Sequence, residues 1–101
     1  MTAAILSPRA DGEAEAAASW IKQENPATAD EFLDAVTAAA ERIGEHPNIG
    51  ISRPDLAPAP FRILFLTGFS YVLVYDAERR PPLIARIVHA ARDLPELLQD
   101  L

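Results

Sequence analysis

The chain has 101 residues, no cysteine and a formal net charge of −6 at pH 7. A chain this short buries little more than about 60% of its unfolded surface, so we expect one domain over residues 1–101. The missing cysteines exclude disulfides, thiol nucleophiles and cysteine-based zinc sites. His46 and His89 are far apart and no glycine-rich phosphate loop is present, so we expect no metal and no cofactor. With no leader-like start and no apolar run near 20 residues, the expected location is the cytoplasm.

The negative charge is unevenly distributed. Residues 1–60 carry ten acidic and four basic side chains, whereas residues 61–101 carry five of each. A generic nucleic-acid binder has a basic face and a positive balance, so this composition excludes that class. Eight of the nine basic residues are arginine, which suits bidentate contacts to carboxylates or phosphates, although a GC-rich genome produces the same bias.

Two helices are predicted in the first half. Residues 10–24 have apolar side chains at helical spacing on one face, at Ala10, Ala14, Ala17, Ala18 and Ile21. Asn25-Pro26 is typical of an N-cap followed by proline at the first helical position, so a second helix begins at once and the two form an antiparallel hairpin. We expect its buried stripe to contain Ala29, Phe32, Leu33, Val36, Ala39, Ala40 and Ile43, and the helix to end at Gly44.

The segment from Glu45 to Pro60 contains four prolines and a glycine, which predicts a long loop. Its His46–Pro54 part is a candidate functional loop. Alternatively it only crosses the fold and is anchored by Ile49, Ile51 and Leu56.

The periodicity changes after Pro60. Three runs rich in β-branched and aromatic residues predict strands, at Phe61–Leu66, Tyr71–Tyr75 and Leu83–His89. Their short connections imply an antiparallel meander, to which Ala3–Ser7 adds a candidate strand. The predicted fold class is α+β: an N-terminal helical hairpin packed on one face of a curled antiparallel sheet.

The last residues predict a short helix. Asp93 and Glu96 have the spacing of a capping box, so Leu94–Leu101 should be helical, with Arg92 and Asp93 as a local ion pair. The leucines of this helix have the spacing of one apolar face. They either pack onto the domain or are offered to a partner.

Several motifs in chain order resemble one family. They are Leu6–Ala10, the Glu24–Pro26 helix junction with Ala29 and Phe32–Leu33, His46–Gly50 with Arg53–Leu56, and Ile87–Leu94. Together they resemble the RelE/ParE superfamily of toxins from bacterial type II toxin-antitoxin systems, and within it the ParE branch. The resemblance covers nearly the whole chain. It implies two N-terminal helices on an antiparallel sheet, the fold already expected from the residues.

The resemblance implies one of two activities. RelE-like members cleave mRNA on the ribosome, which requires a base, an acid and cationic groups around the reacting phosphate. ParE-like members arrest growth by trapping DNA gyrase on cleaved DNA and are not proposed to do chemistry themselves. The charge of −6 and the single lysine, Lys22, favour the second activity, because ribosomal RNA repels an acidic domain. A third reading is a degenerate, non-toxic relative that only binds an antitoxin.

If the chain is a nuclease, the candidate catalytic residues are Arg62, Arg86, His89 and Arg92, with Tyr75 as proton donor. Strand parity separates two of them, because Arg86 and His89 are three residues apart and face opposite sides of a regular strand unless a bulge intervenes. The alternative roles are structural. His89 is then a hydrogen-bonded strand-end residue, and Arg86 extends its charged head to water or meets an acidic partner group.

Partner contacts are expected whichever activity holds. The resemblance implies a cognate ParD-like antitoxin, assembled with this chain as a hetero-oligomer, and no direct DNA or membrane binding. Trp20 lies off the apolar stripe, so we expect it to contact the antitoxin, with Arg62 and Arg86 facing acidic antitoxin groups. The candidate contacts to the cellular target are Arg92, Leu97, Leu98 and Leu101.

Overall fold

The computed structural model describes residues 2–101. The strand β1 (Ile5–Leu6) is followed by the helices α1 (Pro8–Lys22) and α2 (Pro26–Glu45). A long loop leads to the strands β2 (Phe61–Leu66), β3 (Tyr71–Asp76) and β4 (Leu83–His89), and the chain ends with a one-turn helix, α3 (Leu94–Leu97). The class is α+β, as the sequence predicts.

The four strands form one sheet in the order β1-β4-β3-β2. Strands β2, β3 and β4 are antiparallel neighbours, so the predicted meander is confirmed. The sheet is nevertheless mixed rather than purely antiparallel, because β1 pairs with β4 in parallel. A parallel pair needs a long crossover, and the rest of the chain between β1 and β4 supplies it.

Both long helices begin with a polar capping residue that is followed by a proline. The Ser7 hydroxyl accepts a hydrogen bond from the Ala10 amide at 3.0 Å, and the Asn25 side chain accepts from the amides of Ala27 and Thr28. Each cap precedes a proline at the first helical position. The Asn25-Pro26 prediction is therefore confirmed, whereas α1 begins two residues before the predicted start because Ser7-Pro8 is a signal of the same kind.

Two predictions about α2 are wrong. Leu33 was expected in the buried stripe, but it is 40% exposed, in a cavity between α1, α2 and the N-terminal segment. Gly44 does not end the helix, which continues to Glu45. A side chain at position 44 would overlap backbone atoms of Thr2 and Ala3, so this glycine lets the N-terminal segment pass close to α2.

The sheet separates two apolar clusters. The cluster on the helix side contains the alanines of α1 and the α2 stripe, packed on Leu73, Tyr75, Ile84 and Ile87. The cluster on the opposite side contains Ile63, Val72, Val74 and Val88, covered by α3 and by Ala57 of the long loop. The two faces of β3 are both buried, which explains its continuous apolar run.

The C-terminal helix is shorter than predicted. It ends at Leu97, and the Asp93 side chain makes no capping hydrogen bond, so the capping box is wrong. The Leu97 carbonyl accepts from the Arg86 guanidinium at 2.8 Å, an acceptor that a longer helix would use for its own ladder. Within residues 2–101 the expected Arg92–Asp93 ion pair is not formed.

Residues 2–101 contain neither a membrane-spanning helix nor a cluster of potential metal ligands. Every helix between residues 2 and 101 is too short or too polar to cross a membrane. In the same part of the chain, no three His, Asp or Glu side chains are grouped so that they could hold a metal ion.

Candidate functional site

The outer edge of β4 is only partly covered by β1. This short strand pairs with Leu83 and Ile84 alone, after which the chain turns into α1. Beyond Ile84, side chains of α1 and its cap take over the edge: the Ser7 hydroxyl donates to the Ala85 carbonyl at 3.0 Å, and the Glu13 carboxylate accepts from the Ile87 amide at 3.0 Å. The rest of this edge faces a groove beside α1.

Arg86 is bound inside the protein. Its guanidinium forms a bidentate pair with the Glu13 carboxylate at 2.9–3.1 Å, and it donates to the Leu97 carbonyl. The Arg86 side chain is 5% exposed and that of Glu13 is 23% exposed. Since a buried arginine needs a paired carboxylate, Glu13 neutralises the charge that the strand carries into the fold. Arg86 therefore neither reaches water nor offers free donors to a partner.

A β-bulge lies in β4, but it does not bring Arg86 and His89 together. Val74 pairs with Arg86 and Tyr75 with Ile84, so Ala85 is the extra residue. The bulge precedes Arg86, and the alternation beyond it is regular. Val88 joins the cluster under α3, whereas Ile87 joins the helix-side cluster. By that alternation Arg86 and His89 lie on opposite faces, as parity predicts.

His89 belongs to an aromatic row at the end of the β3–β4 pair where Tyr71 lies opposite His89. Its ring packs edge-to-face on Tyr71, with 5.1 Å between the ring centroids. Phe32 packs in the same way, with centroid distances of 5.2 Å to Tyr71 and 5.5 Å to Phe69. The His89 Nδ1 atom accepts from the Ala91 amide at 3.1 Å, so one ring nitrogen is already used in a local hydrogen bond.

Trp20 stands beside this row and is 70% exposed. Two cavities meet at it, one of about 330 Å³ along the β4 edge and one of about 360 Å³ towards the helix junction. Both are lined by Trp20, Tyr71 and His89. We call this continuous concave surface the Trp20 groove. Exposed aromatic side chains in a concave surface are typical of the centre of a protein-protein interface.

Arg62 and Tyr75 hold the long loop. The Tyr75 hydroxyl donates to the Pro47 carbonyl at 2.6 Å and accepts from the Gly50 amide at 2.9 Å. Arg62 donates to the Gly50 carbonyl at 2.8 Å. Burial raises the pKa of the Tyr75 hydroxyl, which keeps it protonated. These contacts anchor the loop, whereas Ile49 and Ile51 are 40% and 45% exposed and Leu56 is half-buried.

The C-terminal leucines pack onto the sheet. Leu98 is 1% exposed, and Leu97 and Leu101 are half-buried against the same cluster. Arg9 reaches across to Asp100 at 2.6 Å and holds the pKa of that carboxyl below its usual range. Arg92 is exposed and lines both the Trp20 groove and a neighbouring polar cavity of about 590 Å³. Of the four candidate target contacts, Arg92 alone is fully on the surface.

The five candidate nuclease residues fall into two groups. Arg86, His89 and Arg92 line the Trp20 groove. Arg62 of β2 and Tyr75 of β3 instead bind the long loop, at Gly50 and Pro47. Within the first group the donors of Arg86 are taken by Glu13 and Leu97. The five residues therefore do not converge on one point in the described part of the chain.

Sequence reasoning missed Glu13 and Tyr71. Glu13 lies three residues after Ala10 and four before Ala17, both buried, so its position beside the apolar stripe was a usable signal for an internal carboxylate. Tyr71 begins a predicted strand, but its contacts with Phe32 and His89 depend on the packing of α2 over the sheet.

Comparison with known proteins supplies the family. A model described as the ParE toxin of the type II toxin-antitoxin system parDE matches residues 4–94. A solved structure described as a chromosomal ParDE toxin-antitoxin system from P. aeruginosa has the same fold, with a TM-score of 0.72 over 88% of this chain and 96% of that chain, at 18% identity. No curated protein matches the sequence significantly. The family match spans most of the sequence, and the chain therefore belongs to the ParE toxin family of type II toxin-antitoxin systems.

Proposed function

We propose that the chain is a toxin that inhibits DNA gyrase by binding and is neutralised in the cytoplasm by a cognate ParD-like antitoxin. The observation that carries the proposal is the family match over residues 4–94. A similar fold occurs in a structure described as a ParDE toxin-antitoxin system. The acidic balance of the chain agrees with a protein target rather than with ribosomal RNA.

The Trp20 groove is the surface we assign to the antitoxin. It is concave and aromatic, and Trp20 has no role in the core at 70% exposure. Antitoxin contacts were also expected at Arg62 and Arg86. Arg86 is buried and bound to Glu13 and Leu97, and the half-buried Arg62 donates one hydrogen bond to Gly50, so the contact is assigned to the exposed Trp20 instead.

Arg92 is the residue we assign to the target. It is exposed and in no ion pair of the described chain. Leu97, Leu98 and Leu101 are packed on the sheet and would reach a target only if α3 moved away. Arg92 therefore comes first among the four candidates.

The experiment is a gyrase cleavage assay. Purified protein, added to gyrase, supercoiled DNA and ATP, should accumulate covalent gyrase-DNA complexes, while translating ribosomes keep their mRNA intact. Arg92→Glu should lower complex formation by about tenfold or more, because it reverses a charge at the assigned contact. The matched control is Arg79→Glu, which reverses an exposed charge in the turn between β3 and β4.

Codon-specific mRNA cleavage without gyrase complexes would replace this proposal with the RelE-like activity. Neither product, together with normal growth on induction, would favour the non-toxic antitoxin-binding relative.

A further inference from the structure

The edge of the sheet opposite to β1 is formed by β2. In the strand order β1-β4-β3-β2, this strand has a neighbouring strand on one side only. The long loop touches its outer edge at Ile51, which exchanges two backbone hydrogen bonds with Ile63, each of 2.9 Å. Beyond Ile63, towards the end of the strand at Leu66, no residue between 2 and 101 pairs with this edge. The last part of β2 is therefore open.

Phe65 carries the free backbone groups of this open edge. The amide and carbonyl of Ile63 point away from β3, and alternate residues of a strand point the same way, so those of Phe65 also point outwards. Outside the β2–β3 ladder, no backbone hydrogen bond of residues 2–101 involves Phe65. The β2–β3 register is regular, so no bulge turns the edge away. Such an edge is a template for another strand.

The side chains beside these backbone groups are apolar and exposed. Phe65 is 49% exposed and Ile51 is 45% exposed. Both share the face of Ile63, which is directed away from the helical hairpin, and they are diagonal neighbours on it. Arg62, the only charged residue of β2, lies on the other face. We call Ile51, Phe65 and the open edge between Ile63 and Leu66 the β2 edge patch.

The β2 edge patch lies in a part of the chain that is poor in carboxylates. Residues 46–70 contain one acidic residue, Asp55, whose carboxylate is paired with Arg53 at 2.7 Å. Residues 8–45, by contrast, contain nine acidic and three basic side chains. In a two-fold symmetric contact each charge meets its own copy. The acidic hairpin therefore repels a second copy of the chain, whereas the β2 edge patch does not.

We propose that the β2 edge patch joins two copies of this chain in a two-fold symmetric dimer, in which the two β2 strands pair antiparallel at Phe65. A two-fold axis at this position places identical residues opposite each other, so the Phe65 amide of each protomer donates to the Phe65 carbonyl of the other. One residue thus supplies both the donor and the acceptor. The side chains of Phe65 and Ile51 from both protomers cover each other and leave water.

The dimer is independent of gyrase and of the antitoxin. The Trp20 groove lies along β4, and β3 separates β4 from β2, so pairing through β2 leaves that groove free. The contact is small, because a single residue pair forms the new ladder. Small interfaces of this kind give weak, concentration-dependent association.

The test is the mass of the whole protein in solution. Sedimentation equilibrium should show monomers and dimers with a dissociation constant on the order of 10–100 μM. Phe65→Lys should weaken the dimer by about tenfold or more, because two lysines then face each other across the axis. The matched control is Ile5→Lys, since Ile5 is 51% exposed on β1 at the opposite edge, and it should dimerise as wild type does. Urea unfolding checks that both variants are folded.

A cross-link tests the register. The sequence has no cysteine, so a single introduced cysteine reports on its own position. Opposite residues of a hydrogen-bonded antiparallel pair have Cα atoms about 5.5 Å apart, within the range of a disulfide. Phe65→Cys should therefore form a disulfide-linked dimer under mild oxidation at concentrations where Ile5→Cys stays monomeric. In wild type, the exchange of the Phe65 amide should slow as the protein concentration rises.

Three outcomes would each overturn the dimer: a wild-type protein that is still monomeric at about 1 mM, equal dimerisation of wild type and folded Phe65→Lys, or equal cross-linking of the two cysteine variants. A monomeric protein whose Phe65→Lys variant forms fewer gyrase-DNA complexes would instead assign the β2 edge patch to the cellular target. Dimerisation is measured without gyrase or antitoxin, so its failure leaves the proposed function unchanged.

Discussion

The Arg86 guanidinium joins three elements through two acceptors. It is carried by β4, paired with Glu13 of α1 and hydrogen-bonded to the last carbonyl of α3. In the sequence alone, Arg86 is an arginine in an apolar strand, close to a histidine and another arginine. That pattern is typical of a small cationic site. The carboxylate that neutralises it is 73 residues away in the chain.

Replacing Glu13 should destabilise the protein. Glu13→Gln leaves the buried Arg86 without its counter-charge and weakens the bond to the Ile87 amide, which should cost about 2 to 4 kcal/mol of unfolding free energy. Urea unfolding measures it. The control Glu15→Gln is an exposed change on the same helix and should stay within about 0.5 kcal/mol. Equal midpoints for wild type and Glu13→Gln would contradict the role of the pair.

Replacing Trp20 should affect binding and leave the fold intact. Trp20→Ala removes a side chain that is 70% exposed, so the unfolding free energy should hardly change. Antitoxin affinity should fall by roughly tenfold or more, as for an aromatic anchor at an interface. Phe65→Ala, which trims a 49% exposed side chain on β2, is the control and should bind normally. Similar affinities for the two variants would move the antitoxin away from the Trp20 groove.

Element boundaries were predicted well where local signals are strong. The three strands from Phe61 to His89 have the predicted ends within one residue, because each alternation is interrupted by turn residues. The C-terminal helix is the failure. Its capping box and leucine spacing are local signals, and they lose to Arg86, which binds the Leu97 carbonyl from a different element.

The α3 segment should loosen in acid. The pKa of Asp100 is held below the ordinary 3.8 mainly by its hydrogen bond to Arg9, with a smaller contribution from Arg86. A lowered carboxyl pKa stabilises the fold above the unfolded value, and this contribution is lost as the pH falls through the lower folded value. The protection factors of the amides of residues 97–101, which compare their exchange rates with those of the unfolded chain at the same pH, should therefore fall below about pH 4.

Asp100→Asn is the matched variant for this effect. It cannot titrate, so its C-terminal amides should exchange faster than those of wild type at neutral pH, and the acid-dependent step assigned to Asp100 should disappear. A variant with the wild-type pH profile would show that another group controls this segment.

In the whole molecule, the net charge is concentrated on the helical hairpin, whereas the apolar packing involves both faces of the sheet. The excess of acidic over basic residues lies on the helical hairpin, while residues 46–101 carry equal numbers of both and supply most of the sheet. The sheet is covered on both sides, by the hairpin on one face and by α3 and the long loop on the other. The Trp20 groove, to which the antitoxin is assigned, lies at the β4 edge of this sheet.

The isolated protein should not bind DNA. A molecule of charge −6 has no surplus of cations to replace the counterions of the phosphate backbone, so a short duplex should migrate unchanged in a gel at low salt. A retarded duplex with wild-type protein at low salt would contradict this expectation.

The sequence by itself determined the two long helices, the three long strands, the α+β class and the family resemblance. These depend on periodicity, caps and turns, which are local and repeat along the chain. The tertiary structure alone decided the roles of Arg62, Tyr75 and Arg86, because each meets its partner across the fold. It also decided that Leu33 stays exposed. A charged or apolar residue is satisfied by whatever packing places beside it, and sequence spacing does not record that neighbour.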